Sequence, residues 1–246
     1  MAETLPFPSM GTAKRKVPPV FASDIPVVYE DEGQEEMGDT LSHFISETIL
    51  HFGITAHLAD RRDLLVLPNM NLYYHPTDRK AYVSPDVMVV KPRKRLPKRL
   101  RTYTIGKEGP APLLVVEVLS RRTFQQGDLT TKPDIYARLG VPEYILADVT
   151  GDFLPEKLRV QHLIDEEHWT QELDRDGGVT SDLGFRVVIE DDGDLRIVNA
   201  KTGQKYLRPK EAEAAEKARI QAQARVRELE AEVARLRKKL PRDSKD

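Results

Sequence analysis

Two apolar segments of this chain each carry one acidic residue in their interior, and this pairing constrains the fold more than any other feature. The first segment is VSPDVMVV, residues 83–90, and contains Asp86. The second is PLLVVEVLS, residues 112–120, and contains Glu117, thirty-one positions after Asp86. Short runs rich in Val and Leu are typical of buried β-strands. Since a buried, unpaired carboxylate is costly, the fold has to compensate both charges.

The alternation of side chains along a strand places both acids on apolar faces. Asp86 shares its face with Met88, and Glu117 shares its face with Val115. Either acid, taken alone, could simply point to solvent from an exposed face of the sheet. For the pair, a divalent cation is the better compensation, because carboxylate oxygens are the ligands that Mg²⁺ prefers. We therefore predict a site for Mg²⁺ (or Mn²⁺) at Asp86 and Glu117.

The surrounding pattern predicts a mixed α/β (α+β) domain over residues 37–207. A helical period runs from Leu41 to Leu50 and is expected to end at Gly53. After residue 63 the chain becomes β-rich, and HPTDRK is interpreted as a hairpin or short loop. The segment DLTTKPDIYARLG predicts an amphipathic helix that ends at Gly140. Further strands are predicted at residues 142–149, 158–164, 168–173, 185–189 and 195–198.

The composition narrows the class of protein. The 246 residues include no cysteine, which excludes disulfides, thiolate metal sites and thiol nucleophiles. The net charge of −2 gives no global attraction to polyanions. The composition of residues 1–36 predicts a mobile N-terminal arm that lacks the apolar core of a signal peptide. No apolar run in the sequence is long enough to span a bilayer. We expect a cytoplasmic protein with no membrane partner.

The C-terminal segment, residues 208–246, predicts a coiled-coil tail. Apolar residues recur at heptad spacing over residues 209–240, which favours a homo-oligomer or a partner protein bound through this helix. A single solvated helix is the alternative, although its stripe of apolar side chains would then be exposed to water. Heptad position a holds Ala212, Arg219, Val226, Val233 and Leu240, and position d holds Ala215, Ala222, Leu229 and Leu236.

Two basic features accompany the acids. Lys132 lies in the first turns of the helix that follows the Glu117 strand, where its ammonium can orient or deprotonate a water or stabilise a phosphate. An ordinary solvated lysine is the alternative. Between Lys91 and Arg101, seven of eleven residues are Lys or Arg. We expect this basic loop to lie near the same edge of the fold as Asp86 and to bind nucleic acid backbone, unless it is only a solvated charge run.

The segments SPDVMVV, LLVVEVLS and KPDIYARLGVPEYILAD, in that order, resemble the Uma-two family of restriction endonuclease-like proteins, within the PD-(D/E)XK nuclease superfamily. The resemblance covers roughly residues 39–189. It implies a mixed sheet of about four to five strands flanked by helices. It also implies a metal site formed by Asp86, Glu117 and the carbonyl of Val118, with Lys132 as the third catalytic residue. The implied activity is Mg²⁺-dependent endonucleolytic hydrolysis of DNA.

The chain departs from the simplest superfamily pattern at one position. Leu119 stands two residues after the second acid, where that pattern has its lysine, and Lys132 in the next helix occupies the substituting position. Asp128 is expected to cap this helix or to touch the site. SRRT follows the Glu117 strand, so that Arg121 and Arg122 add positive charge near the site.

The first helix is a further candidate. His43 and Glu47 are four residues apart and share a helical face, from which they either assist metal binding or form a surface or core-edge pair.

Two other classes of function stay open. The first is a nuclease-fold domain that binds DNA or a partner protein without cleaving and oligomerises through its coiled coil. Such a domain needs no catalytic lysine, so Leu119 at the usual lysine position would not impair it. A carbohydrate or phosphate-ester hydrolase would also use paired acids, but only 7% of the residues are aromatic, which leaves few stacking platforms for a sugar.

Overall fold

The computed structural model describes residues 41–120, 127–165 and 168–239, with side chains as far as residue 236. The predicted arm 1–36, Arg121, Arg122 and Leu240 lie outside the described residues. The helices are α1 (Leu41–His57), α2 (Thr131–Leu139) and α3 (Pro209–Lys239). The strands are β1 (Leu65–Pro68), β2 (Asn71–Tyr73), β3 (Tyr82–Val83), β4 (Val87–Val90), β5 (Thr102–Thr104), β6 (Leu114–Val118), β7 (Glu143–Ala147), β8 (Leu158–Leu163), β9 (Trp169–Glu172), β10 (Val179–Thr180), β11 (Phe185–Ile189) and β12 (Leu195–Asn199).

The main sheet is mixed and has six strands in the order β1-β4-β6-β7-β8-β9. β6 and β7 run parallel, and their neighbours pair antiparallel. Both central strands are buried along their whole length, which is why most of their residues are apolar. The mixed sheet flanked by helices is confirmed, and it has more strands than the resemblance implied.

Helices cover both faces of the main sheet. Ile49, Leu50 and Ile54 of α1 pack on one face, together with the three-stranded sheet β10-β11-β12. Ile135 and Leu139 of α2 pack on the other face, together with the sheet β3-β2-β5. The hairpin predicted at HPTDRK is confirmed as the antiparallel pair β2–β3. Helix α2 ends, as predicted, at Gly140, whose φ of 72° is left-handed.

Helix α1 corrects one prediction. It does not end at Gly53 but continues to His57. Gly53 is buried, and a Cβ at this position would lie 2.4 Å from Cγ1 of Ile197 on β12. The glycine is therefore required by the close approach of a strand and not by a helix end. Two residues of the predicted apolar face, Leu41 and Phe44, are 74% and 61% exposed.

Helix α3 begins at the β11–β12 end of the domain. Arg196 of β12 donates to Glu211 in its first turn at 2.7 Å, and Arg208 pairs with Asp192 beside it. Beyond this anchor the described side chains of the helix are exposed. No helix among residues 41–120, 127–165 and 168–239 is long and apolar enough to cross a membrane.

A buried glutamate joins β7 to the segment that precedes β11. Glu143 is 1% exposed, accepts hydrogen bonds from the Ser181 hydroxyl (2.9 Å) and the Asp182 N–H (3.1 Å), and lies 3.7 Å from Nε2 of His162. Burial raises the pKa of Glu143 from its ordinary 4.5 to about 7, although the hydrogen bonds from Ser181 and Asp182 oppose the shift. Ionisation of this carboxyl therefore opposes folding.

Glu143→Gln is expected to make the protein less sensitive to alkaline pH. Because the folded state holds the Glu143 proton more tightly than the unfolded state, the protonated carboxyl makes its full contribution to stability below pH 4.5. That contribution is lost as the pH rises through about 7. The shift of the Glu143 pKa from 4.5 to about 7 corresponds to a change of about 3 kcal/mol in the free energy of unfolding. Urea unfolding at pH 5 and pH 8 measures the free energy in wild type and variant. Glu172→Gln, at an exposed position of β9, serves as the control, and an identical pH dependence in wild type and Glu143→Gln would contradict the prediction.

Candidate functional site

Asp86 and Glu117 lie opposite each other at one end of the antiparallel pair β4–β6. The register pairs Val87 with Val116, so the next pair along is Asp86 with Glu117. The Val118 N–H donates to Oδ2 of Asp86 at 2.6 Å, and the Asp86 N–H donates to Oε2 of Glu117 at 3.4 Å. The two acids are therefore neighbours, with Glu117 inside β6 and Asp86 one residue before β4.

Lys132 reaches the same point from α2. Its Nζ lies 3.1 Å from Oε1 of Glu117 and 2.9 Å from Oδ1 of Asp128. Tyr136, one turn further along the helix, donates its hydroxyl proton to the same Oε1 at 2.8 Å. Asp128 does not cap the helix, since Thr130 is the N-cap residue and makes no side-chain cap hydrogen bond. The helix thus supplies a cation and a phenol to one carboxylate.

Among the residues that the structure describes, carboxylates outnumber cations in this cluster. Burial raises the pKa of Glu117 well above its usual range, and the charges of Asp86 and Asp128 raise it further, although Lys132 and Tyr136 oppose the shift. Burial alone would lower the pKa of Lys132, but Glu117 and Asp128 raise it, so the amine stays protonated. Three acids thus face one lysine, and an added positive charge would stabilise the ionised form of Glu117.

His43 contacts the site, although the sequence alone gave little indication of this position. It lies in the first turn of α1, and only the spacing to Glu47 marked it. Its Nε2 is 3.0 Å from the carbonyl oxygen of Val118 and 3.3 Å from Oδ2 of Asp86. Both His43 and Glu47 are buried. Helix α1 therefore reaches the site from the sheet face opposite to α2.

The oxygen atoms at this end of the sheet are of the type that hard divalent cations bind. Asp86 and Glu117 provide carboxylates and Val118 a main-chain carbonyl. Leu119 is buried in the apolar cluster under α2 and provides no polar group. Within the described ranges, no three or more His, Cys, Asp or Glu side chains form a group that could hold a metal ion. A cation here would consequently depend on the carbonyl and on water as well as on the acids.

The basic loop begins farther from the acids than expected. Lys91 follows the end of β4 that is opposite to Asp86. The loop returns, however, because it leads into Thr102, which pairs with Asn71, and Asn71 accepts a hydrogen bond from Ser84, two residues before Asp86. All seven basic residues of the loop are exposed. The start of the loop therefore does not lie at the edge that carries Asp86. The end of the loop leads into β5, which pairs with β2, and β2 contacts the segment just before Asp86.

Comparison with known proteins identifies the family. No curated protein matches the chain. A similar solved structure is titled "a putative nuclease belonging to DUF820 from Anabaena variabilis ATCC 29413", with a TM-score of 0.43 and 16% identity, over 61% of this chain and 76% of that one. The family model Uma2, described as "Putative restriction endonuclease", matches residues 24–190, and this chain belongs to the Uma2 family.

Proposed function

We propose that this chain is a metal-dependent endonuclease that hydrolyses phosphodiester bonds of DNA with Mg²⁺ or Mn²⁺. The observation that carries the proposal is the convergence of Asp86, Glu117 and Lys132 at one end of β4 and β6. Membership of the Uma2 family supports a nuclease-like function. The excess of carboxylates over cations among the described residues of the site supports a divalent cation.

Each residue has a distinct task in this proposal. Asp86, Glu117 and the carbonyl of Val118 would hold the cation, which would supply a Lewis acid for the phosphate and a lower pKa for a bound water. Lys132 and Tyr136 hold Oε1 of Glu117, which leaves Oε2 directed toward Asp86. The ammonium of Lys132 also places positive charge beside the position where negative charge develops on the phosphate.

The basic loop is the proposed DNA contact. Its seven Lys and Arg side chains are exposed over residues 91–101, and its last residues return toward Asp86. Such contacts bind the phosphate backbone without reading sequence and release counterions. Binding is therefore expected to weaken steeply with salt, and the loop accounts for no base specificity.

Incubation with supercoiled plasmid tests the activity. We expect nicked and linear products in Mg²⁺ or Mn²⁺ and none in EDTA. A single-stranded RNA of similar length, assayed in parallel, separates deoxyribonuclease from ribonuclease activity. Cleavage of RNA alone, or no cleavage of either substrate in both metals, would contradict the proposal.

A non-cleaving module that binds DNA or protein is the second candidate. Both Glu117 oxygens already have partners, since Oε1 accepts from Tyr136 and pairs with Lys132, and Oε2 accepts from the Asp86 N–H. A carboxylate satisfied in this way has less need of a metal ion. Salt-sensitive DNA binding without plasmid cleavage in either metal would favour this function.

We further propose that α3 pairs with α3 of a second copy as a parallel coiled coil. Val226, Leu229, Val233 and Leu236 are 53%, 44%, 46% and 53% exposed, although they occupy successive a and d positions. A β-branched residue at a with Leu at d favours two parallel strands. In that register Arg225 at g would face Glu230 at e of the partner, which is an attractive pair.

Leu229→Glu is expected to convert the dimer into a monomer, because it places a charge in the apolar seam. Multi-angle light scattering measures the mass. Ala231→Glu, at the outward f position, is the matched control and should leave the dimer intact. The native chain has no cysteine, so Leu236→Cys gives a clean test of orientation. It should cross-link to itself in a parallel pair, and a monomeric wild type would contradict the proposal.

A further inference from the structure

We propose that the exposed apolar face of α1 is the docking surface for the segment that directly precedes this helix, residues 24–40. The inference goes beyond the proposed function and does not depend on nuclease activity. The occupant is part of this chain, and its apolar residues are Ile25, Val27, Val28 and Tyr29. Docking would restrict the mobile arm expected from the composition to the residues before 24.

A stripe of apolar side chains on α1 faces away from the sheet. Leu41, Phe44 and Phe52 are 74%, 61% and 54% exposed. Together with Thr48 they recur at spacings of three and four residues, so they share one face of the helix. The opposite face, which includes Leu50, packs on the main sheet. A helix that is apolar on both faces is typically buried on both, and the residues that the structure describes cover only one of them.

The preceding segment has the position and the length that this cover requires. The family match begins at residue 24, so residues 24–40 belong to the matched region and lead directly into Leu41. A helix of 17 residues is about 25 Å long. Residues 30–40, which join Tyr29 to α1, can extend to about 36 Å. The chain can therefore turn back and bring its apolar residues to any point of the stripe.

Two other occupants fit this surface less well. A second copy would lose translational and rotational freedom on binding, whereas a tethered segment has an effective concentration of about millimolar. Nucleic acid is disfavoured, because six of the ten residues 30–39 are acidic and the chain places them next to Leu41. The stripe therefore favours the segment of its own chain.

Cysteine cross-linking in the full chain tests the contact directly, because the native chain has no cysteine. Val28→Cys places one thiol in the segment, and Thr48→Cys places one in the middle of the stripe. Mild oxidation of this double variant should give a disulfide within one chain. A protease specific for glutamate cuts between the two positions, and mass spectrometry then identifies the linked peptides. Oxidation of a mixture of ¹⁵N-labelled and unlabelled copies distinguishes linkage within a chain from linkage between chains.

Phe44→Asp, added to the double-cysteine chain, should slow disulfide formation by roughly fivefold or more, because it places a charge in the apolar contact. Ser42→Asp adds the same charge at an exposed position of the same turn, outside the stripe, and is the matched control that should leave the rate unchanged. Circular dichroism confirms folding. If Phe44→Asp does not fold, Phe52→Ser repeats the measurement without a charge.

Three outcomes would overturn the proposal. Absence of any disulfide would show that the segment does not lie on the stripe. A disulfide that joins labelled to unlabelled copies would assign the stripe to a second copy. Equal rates in Phe44→Asp and Ser42→Asp would show that the two thiols meet only through random collisions of a tethered chain.

Discussion

Asp86→Asn is expected to reduce metal-dependent plasmid cleavage by roughly a thousandfold, because a bound metal ion contributes several kcal/mol to transition-state stabilisation and each 1.4 kcal/mol is a factor of ten. Asparagine keeps one side-chain oxygen, which can still accept the 2.6 Å hydrogen bond from the Val118 N–H. Asp86 is also the more accessible of the two acids, with 16% of its side chain exposed. The fold should therefore survive the substitution.

The substitution at Asp86 is more informative than one at Glu117. Glutamine at position 117 would turn an amide N–H₂ toward either Lys132 and Tyr136 or the Asp86 N–H, all of which are donors. Loss of activity would then be mixed with loss of structure. Initial rates of plasmid nicking, with circular dichroism to confirm folding, measure the effect of Asp86→Asn. Asp63→Asn, at an exposed acid that pairs with Arg61 and Lys91, is the control.

Undiminished cleavage by Asp86→Asn would place the activity at another site or in a contaminant. Equal loss in Asp86→Asn and Asp63→Asn would indicate an effect that is not specific to Asp86. Weaker attraction to DNA would not explain it, because each variant removes one negative charge and so repels DNA less. Only a loss confined to Asp86→Asn supports the proposed centre.

The strands that carry the two acids were predictable because their signal is local. Alternation along VSPDVMVV and LLVVEVLS depends only on the two-residue period of a strand, and the register of the two strands brings Asp86 opposite Glu117. The almost continuously apolar sequence of β6 likewise indicated a central strand, and β6 lies between β4 and β7. Where a residue's environment is set by its own segment, the pattern was sufficient.

Features set by distant segments could not be predicted. A glycine after an apolar helical run resembles a helix end, but Gly53 lies inside α1. A glycine is needed there because Ile197, far along the chain, packs against this position. The bond from Tyr136 to Glu117 depends on how α2 is rotated over the sheet, and its spacing of four residues from Lys132 was the only available signal. The contact of His43 with Val118 similarly joins residues 75 positions apart.

Lys132→Met is expected to destabilise the domain by about 3–5 kcal/mol, because it leaves buried acids without their cation. Lys132 contacts both Glu117 and Asp128, which are each 1% exposed. Since Lys132 lowers the pKa of Glu117, its removal raises that pKa further. A raised carboxyl pKa costs stability as the pH rises, so the loss should be greater at pH 8 than at pH 5. Urea unfolding at both pH values measures it.

Two further variants separate the charge of Lys132 from the packing of its stem. Combining Lys132→Met with Asp128→Asn removes one of the uncompensated charges and should recover part of the lost stability. Arg138→Met, at an exposed position of the same helix, should cost less than about 1 kcal/mol. If Lys132→Met were as stable as wild type at both pH values, the acids would not depend on this amine. That result would contradict the prediction that Lys132 compensates the buried charges of Glu117 and Asp128.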